Sequence, residues 1–205
     1  VTAVLPRPTM LAGSVVTLTP MTPPDIPELY RAIGRREVFE NGYGGGVAAL
    51  PTDLHAFERF VDSYYLDDET SLAWTVRASA GSGAGKIVGA TWLGDFDLHN
   101  ESAHIGATAY SPDVWGTTVN PETKLLILGL AFGHGFGRVK IQADAVNARS
   151  RSAIERLGAQ FEGVLRRDQR RADGSWRDTA VYSVLATEWP ATRTDLENRI
   201  AAHSD

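Results

Sequence analysis

The stretch Trp115 to Gly163, WGTTVNPETKLLILGLAFGHGFGRVKIQADAVNARSRSAIERLGAQFEG, decides how this 205-residue chain is read. In order it gives a polar turn, a capped helix, a strand rich in β-branched residues, a second capped helix ending on glycine, and the start of another strand. Asn120 reads as an N-cap, Pro121 as an N1 residue with a preset φ, and Glu122 as an acid at the positive end of the helix. Residues 125–132 are apolar on nearly every face, as in a helix buried by its surroundings, and Gly133, Gly135 and Gly137 stop it. Val139, Ile141 and Ala143 then alternate with Lys140 and Gln142, the period of a strand. Asn147 caps the second helix, Ala153, Ile154 and Leu157 face inward, and Gly158 ends it. Two helix N-termini therefore open close together in sequence, each with unpaired amides and a positive dipole end suited to an anion such as a diphosphate. An ordinary αβα segment with good caps reads equally well from these residues alone.

Working outward, residues 15–19 read as a strand, 23–33 as a helix opened by Pro23-Pro24-Asp25, and 52–65 as another helix. Between those helices lie Gly42, Gly44, Gly45 and Gly46, which predict a mobile loop. Strands are expected at 72–77, 86–93 and 103–110, then a pair at 161–170 and 176–185 around the turn Ala172-Asp173-Gly174. Residues 187–203 predict a terminal helix broken near Pro190, and residues 1–10 a loose N-terminal arm ahead of one domain spanning 11–205. With 43% apolar residues the chain can bury one sizeable core and is short for two.

The net charge of −5 argues against nucleic acid as a partner. The basic pairs Arg35-Arg36, Arg166-Arg167 and Arg170-Arg171 read first as solvated surface, with contact to an acidic substrate or a cofactor phosphate as the alternative. With no cysteine, disulfides, thiolate catalysis and cysteine metal sites are excluded, and no metal is expected. No run of about 20 apolar residues and no signal-peptide pattern is present, so the expectation is a cytoplasmic protein that meets no membrane. Gly81-Ser82-Gly83-Ala84-Gly85-Lys86 imitates a phosphate loop, but Ala80 and Ile87 stand where that pattern needs Gly and Ser or Thr, and a strand follows in place of a helix. A hairpin loop is the better reading, and a nucleotide-dependent enzyme finds no support.

WGTTVNPETKLL, then RVKIQADAVNARSRSAIERLGAQFEGVLR, then WRDTAVYSV and EWP, resemble the GNAT superfamily of acyl-CoA-dependent N-acyltransferases, in particular the branch of RimJ- and RimL-type ribosomal-protein N-acetyltransferases. The resemblance runs from about Leu11 to Pro190 and implies an α/β (α+β) fold, a single domain whose central, mostly antiparallel, splayed sheet is flanked by helices. It implies acetyl-CoA or a related acyl-CoA as donor, with the pyrophosphate on the turn Trp115, Gly116, Thr117, Thr118, Val119 and Asn120, and the pantetheine near Asn147 and Ser150. Two features depart from the family pattern. The glycine-rich pyrophosphate turn keeps one glycine, Gly116, with Thr117 and Thr118 hydroxyls as added donors, and Ile154 stands where many members carry a tyrosine as general acid.

The chemistry so implied is attack of a primary amine on a thioester, which needs a base, an oxyanion donor and a proton for the thiolate. Residues 104–110, HIGATAY, match the family strand that splays from its neighbour, so main-chain amides at Ala109 and Tyr110 become the carbonyl donors. His104 stands where relatives often hold a glutamate base; its unperturbed pKa near 6.5 suits that role, and a strand histidine satisfied by a neighbour is the plain alternative. Ser150 either protonates sulfur or caps the helix and touches cofactor. Asp95, Asp97 and Glu101 are reserve bases, and Asp178 either orients an ammonium or pairs across the hairpin. Trp74, Trp92 and Tyr182 are candidates to wall the acceptor site, each with core packing as its alternative. The acceptor is expected to be a small-molecule amine or a protein N-terminus, a homodimer stays open, and a catalytically silent acyl-CoA-binding module is the competing reading.

Overall fold

The computed structural model describes residues 3–66, 70–79 and 83–202. Eight strands form one sheet: β1 (Leu11–Ala12), β2 (Val16–Pro20), β3 (Leu72–Ala78), β4 (Ile87–Asp97), β5 (Ser102–Tyr110), β6 (Arg138–Asp144), β7 (Gln160–Arg170) and β8 (Trp176–Leu185). Their order is β1-β2-β3-β4-β5-β6-β8-β7, antiparallel everywhere except between β5 and β6. Six α-helices accompany it: α1 (Ile26–Ile33), α2 (Arg36–Phe39), α3 (Leu54–Tyr65), α4 (Val119–Gly133), α5 (Ala148–Glu155) and α6 (Trp189–Ala201). This is the α+β single-sheet architecture expected from the sequence. The imitation phosphate loop falls partly outside the described residues, at Ala80, Gly81 and Ser82, and strand β4 follows it. His203 also lies outside them. Among the described residues no helix is long and apolar enough to cross a membrane.

The sheet separates two cores. On one face Trp74, Val76, Leu93, Ile105, Val139 and Ile141 pack with Ile127 and Leu128 of α4 and Leu196 of α6. On the other, Ile87, Ala90 and Ala109 pack with Leu29 and Ile33 of α1 and Phe57 and Val61 of α3. Alternation along the strands sends neighbouring residues to opposite cores, which is why the β-branched runs here are apolar on both faces.

Three local expectations are corrected. Helix α4 starts two residues earlier than expected: Thr118 is its N-cap in place of Asn120, which puts Pro121 at the third helical position, and Glu122 serves another purpose than the helix dipole. Its buried carboxylate accepts from Ser14 N (2.9 Å), Ser14 Oγ (2.7 Å), Val15 N (2.6 Å) and Val16 N (2.6 Å), fastening the β1–β2 turn to the head of α4. A Cβ on Gly13 would lie 2.4 Å from that carboxylate and would push it off these donors. Helix α6 is unbroken by Pro190, which sits in its first turn where no amide is needed. The N-terminal segment is tied down, since Ala3 is buried, the Val4 amide donates to His134 O (2.9 Å) and Thr9 O accepts from Trp74 Nε1 (2.8 Å).

Candidate active site

Strands β5 and β6 pair only from Ser102 to Ile105 and from Arg138 to Ile141. Beyond those four pairs they diverge, and the edge of β5 from Gly106 to Tyr110 is left without a strand on that side. A β-bulge reinforces the divergence. Between the pairs Ala90↔Ala109 and Trp92↔Gly106 the strand β5 holds one residue more than β4, and Ala107 takes φ +46°, a left-handed conformation costly for a residue with a Cβ. Tyr65 holds it in place by donating to Ala107 O (2.6 Å), and the Tyr43 hydroxyl lies 2.6 Å from that of Tyr65. Because Ser111 N donates back to Val88 O (2.8 Å), antiparallel alternation turns the Tyr110 amide toward the open side.

Two cavities meet at this opening. The first, about 420 Å³, runs along β5 between the heads of α4 and α5 and is lined by Ala109, Tyr110, Trp115, Gly116, Thr117 and Asn120. The second, about 320 Å³, lies toward α3 and the β7–β8 hairpin and is lined by Trp92, Asp95 and His104. Gly106, Ala107, Thr108, Asn147 and Ser150 line both.

In the first cavity Gly116 takes φ +80°, and the Gly116, Thr118 and Asn120 amides make no hydrogen bond to the described residues. The Thr117 hydroxyl donates to Val114 O (2.7 Å) and accepts from Val119 N (3.3 Å), so it shapes the turn and is not free for a ligand. Trp115 is fixed by Nε1 donating to Tyr110 O (3.0 Å), and the Arg149 guanidinium lies 3.5 Å from its ring centroid. An exposed turn with free amides, a helix N-terminus and a stacked guanidinium is anion-binding chemistry. Asn147 Oδ1 accepts from Ser150 N (2.9 Å) and so caps α5 as expected, while its Nδ2 donates to Asn41 O (2.9 Å). The Ser150 hydroxyl makes no hydrogen bond to the described residues and faces both cavities. Lys124, from α4, is buried with Nζ donating to Thr108 Oγ1 (2.7 Å), and burial pushes its ammonium down to about 7.

In the second cavity His104 Nδ1 lies 2.9 Å from Asp95 Oδ2. Asp95 reaches it through a second bulge, between the pairs Gly94↔His104 and Asp97↔Ser102, where Asp95 takes φ +48°. The His104 contact, with Lys140 Nζ at 3.4 Å, holds the Asp95 carboxyl well below its usual range, so it is ionised and Nδ1 carries the shared proton. Burial pushes the His104 pKa down and outweighs the opposing pull of Asp95. The imidazole is therefore neutral at pH 7, with the Nε2 lone pair buried and unpartnered. A neutral histidine oriented by a carboxylate, its other nitrogen free, has the form of a general base.

Of the three aromatic candidates only Trp92 reaches the second cavity, its ring edge-on to His104 at 5.7 Å. Trp74 is fully buried with its indole spent on Thr9, and Tyr182 lies in the same core with its hydroxyl between Arg151 and Glu155. Both are core residues. Asp97 accepts from Asn100 N, Asp178 accepts from Arg167 N (2.7 Å), and Glu101 uses its carbonyl to hold Gly137 and Arg138 N, so none faces the cavity. The glycine-rich segment has a defined path of two 3₁₀ turns, Tyr43–Gly45 and Val47–Ala49. Tyr43, Tyr65, Lys124, Arg149 and Arg177 were not singled out from sequence. The only signal for any of them was Tyr43, a lone aromatic among the glycines at 42 and 44–46.

The sequence matches none of the curated proteins compared. Among solved structures, a GCN5-related N-acetyltransferase from Brucella melitensis shares 26% identity over 96% of this chain and 87% of its own, with TM-score 0.85. Mycobacterium smegmatis RimJ, in complex with CoA-disulfide, shares the fold at 20% identity and TM-score 0.76, with 96% of each chain covered. Spermidine N-acetyltransferase from Vibrio cholerae, in complex with CoA and spermine, does so at 15% identity and TM-score 0.67, with 87% and 99% covered. Residues 16–160 match the family described as acetyltransferase (GNAT) domain, and with the splayed strand and paired cavities above, the chain belongs to the GNAT acetyltransferases.

Proposed function

We propose that this protein transfers an acetyl group from acetyl-CoA to a primary amine by direct attack, with His104 as general base. The observation that carries the reading is the buried, unpartnered Nε2 of His104, aligned by Asp95, in a cavity that opens onto the unpaired edge of β5. In this reading the CoA pyrophosphate sits on the Gly116, Thr118 and Asn120 amides beside Arg149, and the pantetheine extends along Gly106 to Tyr110. The amine nitrogen forms the new C–N bond as its proton passes to His104 Nε2. The Tyr110 amide stabilises the oxyanion, and collapse breaks the C–S bond. The Ser150 hydroxyl, open to both cavities, is placed to hydrogen-bond the departing sulfur. A thiolate is a good enough leaving group that Ile154, about one turn further along α5, need not supply a proton.

The reading covers short acyl donors, acceptors of either the small-molecule or the protein N-terminal kind, and a place in the cytoplasm where acyl-CoA is available. The RimJ-like branch is supported by the shared fold with RimJ. Calorimetry with acetyl-CoA followed by a free-thiol assay over an amine panel tests it. Binding together with amine-dependent thiol release is expected, lost by about 10²–10⁴ in His104→Ala. Binding without release across the panel returns the silent module, and no binding ends the reading altogether.

A further inference from the structure

Among the described residues three buried side-chain polar atoms lack any hydrogen-bond partner: His104 Nε2, Arg177 Nε and Thr179 Oγ1. His104 and Arg177 line the same 320 Å³ cavity, and Thr179 follows Arg177 at i+2 on one face of β8. The half-buried Arg177 has one contact, Nη1 to Gln169 Oε1 (3.2 Å), and no carboxylate within 4 Å among the described residues. Two other arginines of the sheet behave differently. Arg171 grips Asp144 Oδ2 through Nε (3.0 Å) and Nη2 (2.6 Å), and Arg138 is paired with Glu162. Asp144, the acid beside Arg177 in the cavity, is spent: Oδ2 on Arg171 and Oδ1 on Val146 N (3.2 Å). Burial of the guanidinium outweighs the distant attraction of Asp144 and Asp168, no carboxylate touches it among the described residues, and its open face is shaped for two oxygens of one oxyanion.

The other end of the cavity holds a carboxylate, with Lys140 Nζ 3.4 Å from it. There Asp95 stays ionised, and the neutral His104 accepts a proton but offers no positive charge. The ends are also well separated. His104 pairs with Lys140, Lys140 pairs with Ser183, and Arg177 lies six residues along β8 from Ser183, an offset of roughly 20 Å between Cα atoms at about 3.3 Å per residue. His104 and Arg177 both reach into the one cavity, so the acceptor spans only part of that offset.

We propose that the acceptor cavity takes an amine bearing a carboxylate at its far end, an ω-amino acid or the side-chain amine of a lysine-like amino acid, with Arg177 as the carboxylate anchor and a specificity-determining residue. This rests on the acetyl-transfer reading for the reaction but makes its own claim about the second substrate. The ammonium enters beside Asp95 and loses its proton to His104, while the carboxylate accepts from the Arg177 fork.

The test measures kcat/KM for thiol release with glycine, 4-aminobutyrate and 6-aminohexanoate, each beside its carboxamide, and with hexylamine. The wild type is expected to prefer the longer amino acids to glycine, and 6-aminohexanoate to its carboxamide by roughly 10- to 100-fold. Arg177→Gln should abolish that preference through KM, leave hexylamine turnover within about twofold, and leave acetyl-CoA affinity unchanged, which also reports an intact fold. Arg177→Lys should recover part of it, because charge returns without the planar fork. Equal use of acid and carboxamide by the wild type, or a preference that survives Arg177→Gln, overturns the anchor while the acetyl-transfer reading stands. Should no amine in the panel release thiol, that reading fails, and calorimetry of 6-aminohexanoate with the CoA-bound protein still decides the anchor: heat lost in Arg177→Gln supports it, and no heat with the wild type overturns it. An N-terminal Asp peptide preferred over 6-aminohexanoate likewise overturns it.

Discussion

Replacing Lys124 by methionine keeps the length of the side chain and removes a charge that the fold holds at a cost. Its Nζ is buried beneath the donor cavity with one hydroxyl partner, Thr108, and no carboxylate within 4 Å among the described residues. Burial brings the ammonium down to about 7 from an unfolded value near 10.4. Between those values the unfolded chain binds the proton more tightly than the native one, so stability rises with pH across this window. Below pH 7 both states are protonated and the cost is constant, on the order of 4–5 kcal/mol; at pH 9 it has fallen to about 2 kcal/mol. The difference in stability between Lys124→Met and the wild type should therefore shrink by about 2 kcal/mol from pH 7 to pH 9, which is roughly 4–8 °C in Tm for a domain of this size. Thermal denaturation of both proteins at matched pH isolates this term, because the buried tyrosines titrate alike in each and cancel. A difference that stays flat from pH 6 to pH 9 would show that Lys124 keeps its ordinary pKa, and the argument from its burial would fall.

Other outcomes follow from the site. In kcat/KM against pH the wild type should lose activity only below pH 6.5, because burial depresses the His104 pKa; Asp95→Asn should move that limb to still lower pH, and His104→Ala should remove it. A limb that stays fixed in Asp95→Asn removes the carboxylate from the base. Ser150→Ala should reduce kcat with little change in acetyl-CoA affinity if its hydroxyl meets the sulfur, and a change confined to affinity would leave it a cofactor contact. Glu122→Ala strands three main-chain amides and a hydroxyl at the β1–β2 turn, at a cost of about 3–5 kcal/mol or roughly 6–20 °C in Tm by thermal melting. A loss below 1 kcal/mol would mean that water replaces the carboxylate there.

The sequence carried the parts of the fold that depend on neighbours along the chain. Asn147 could be read as a cap because its acceptor needs only the amide of Ser150, three residues on. The head of α4 was harder, since Thr118 and Asn120 are both good caps and Pro121 is tolerated throughout a first turn. Glu122 looked like a dipole partner, and its real partners lie more than 100 residues away. The same limit applies to the site. His104 was legible as a base, but Asp95 reaches it only through a bulge with positive φ at a residue that carries a Cβ. Trp74 and Trp92 are two large indoles on adjacent strands, and the pleat alone sends one into the core and the other to the cavity. Arg177 and Lys124 gave no signal because a charged residue in a sequence reads as solvated until its neighbours are known.

The short parallel ladder between β5 and β6 makes this sheet a seam as well as a scaffold. Four pairs stitch the first five strands to the last three, and past Ile105 and Ile141 the backbone on either side has no rung to share. A coenzyme lying in that gap would act as a removable rung, tying the two blocks together while it is bound and letting them breathe when it departs. Amide hydrogen exchange should then slow on the flanks of the seam when coenzyme is present, with the outer β7–β8 hairpin ladder unaffected.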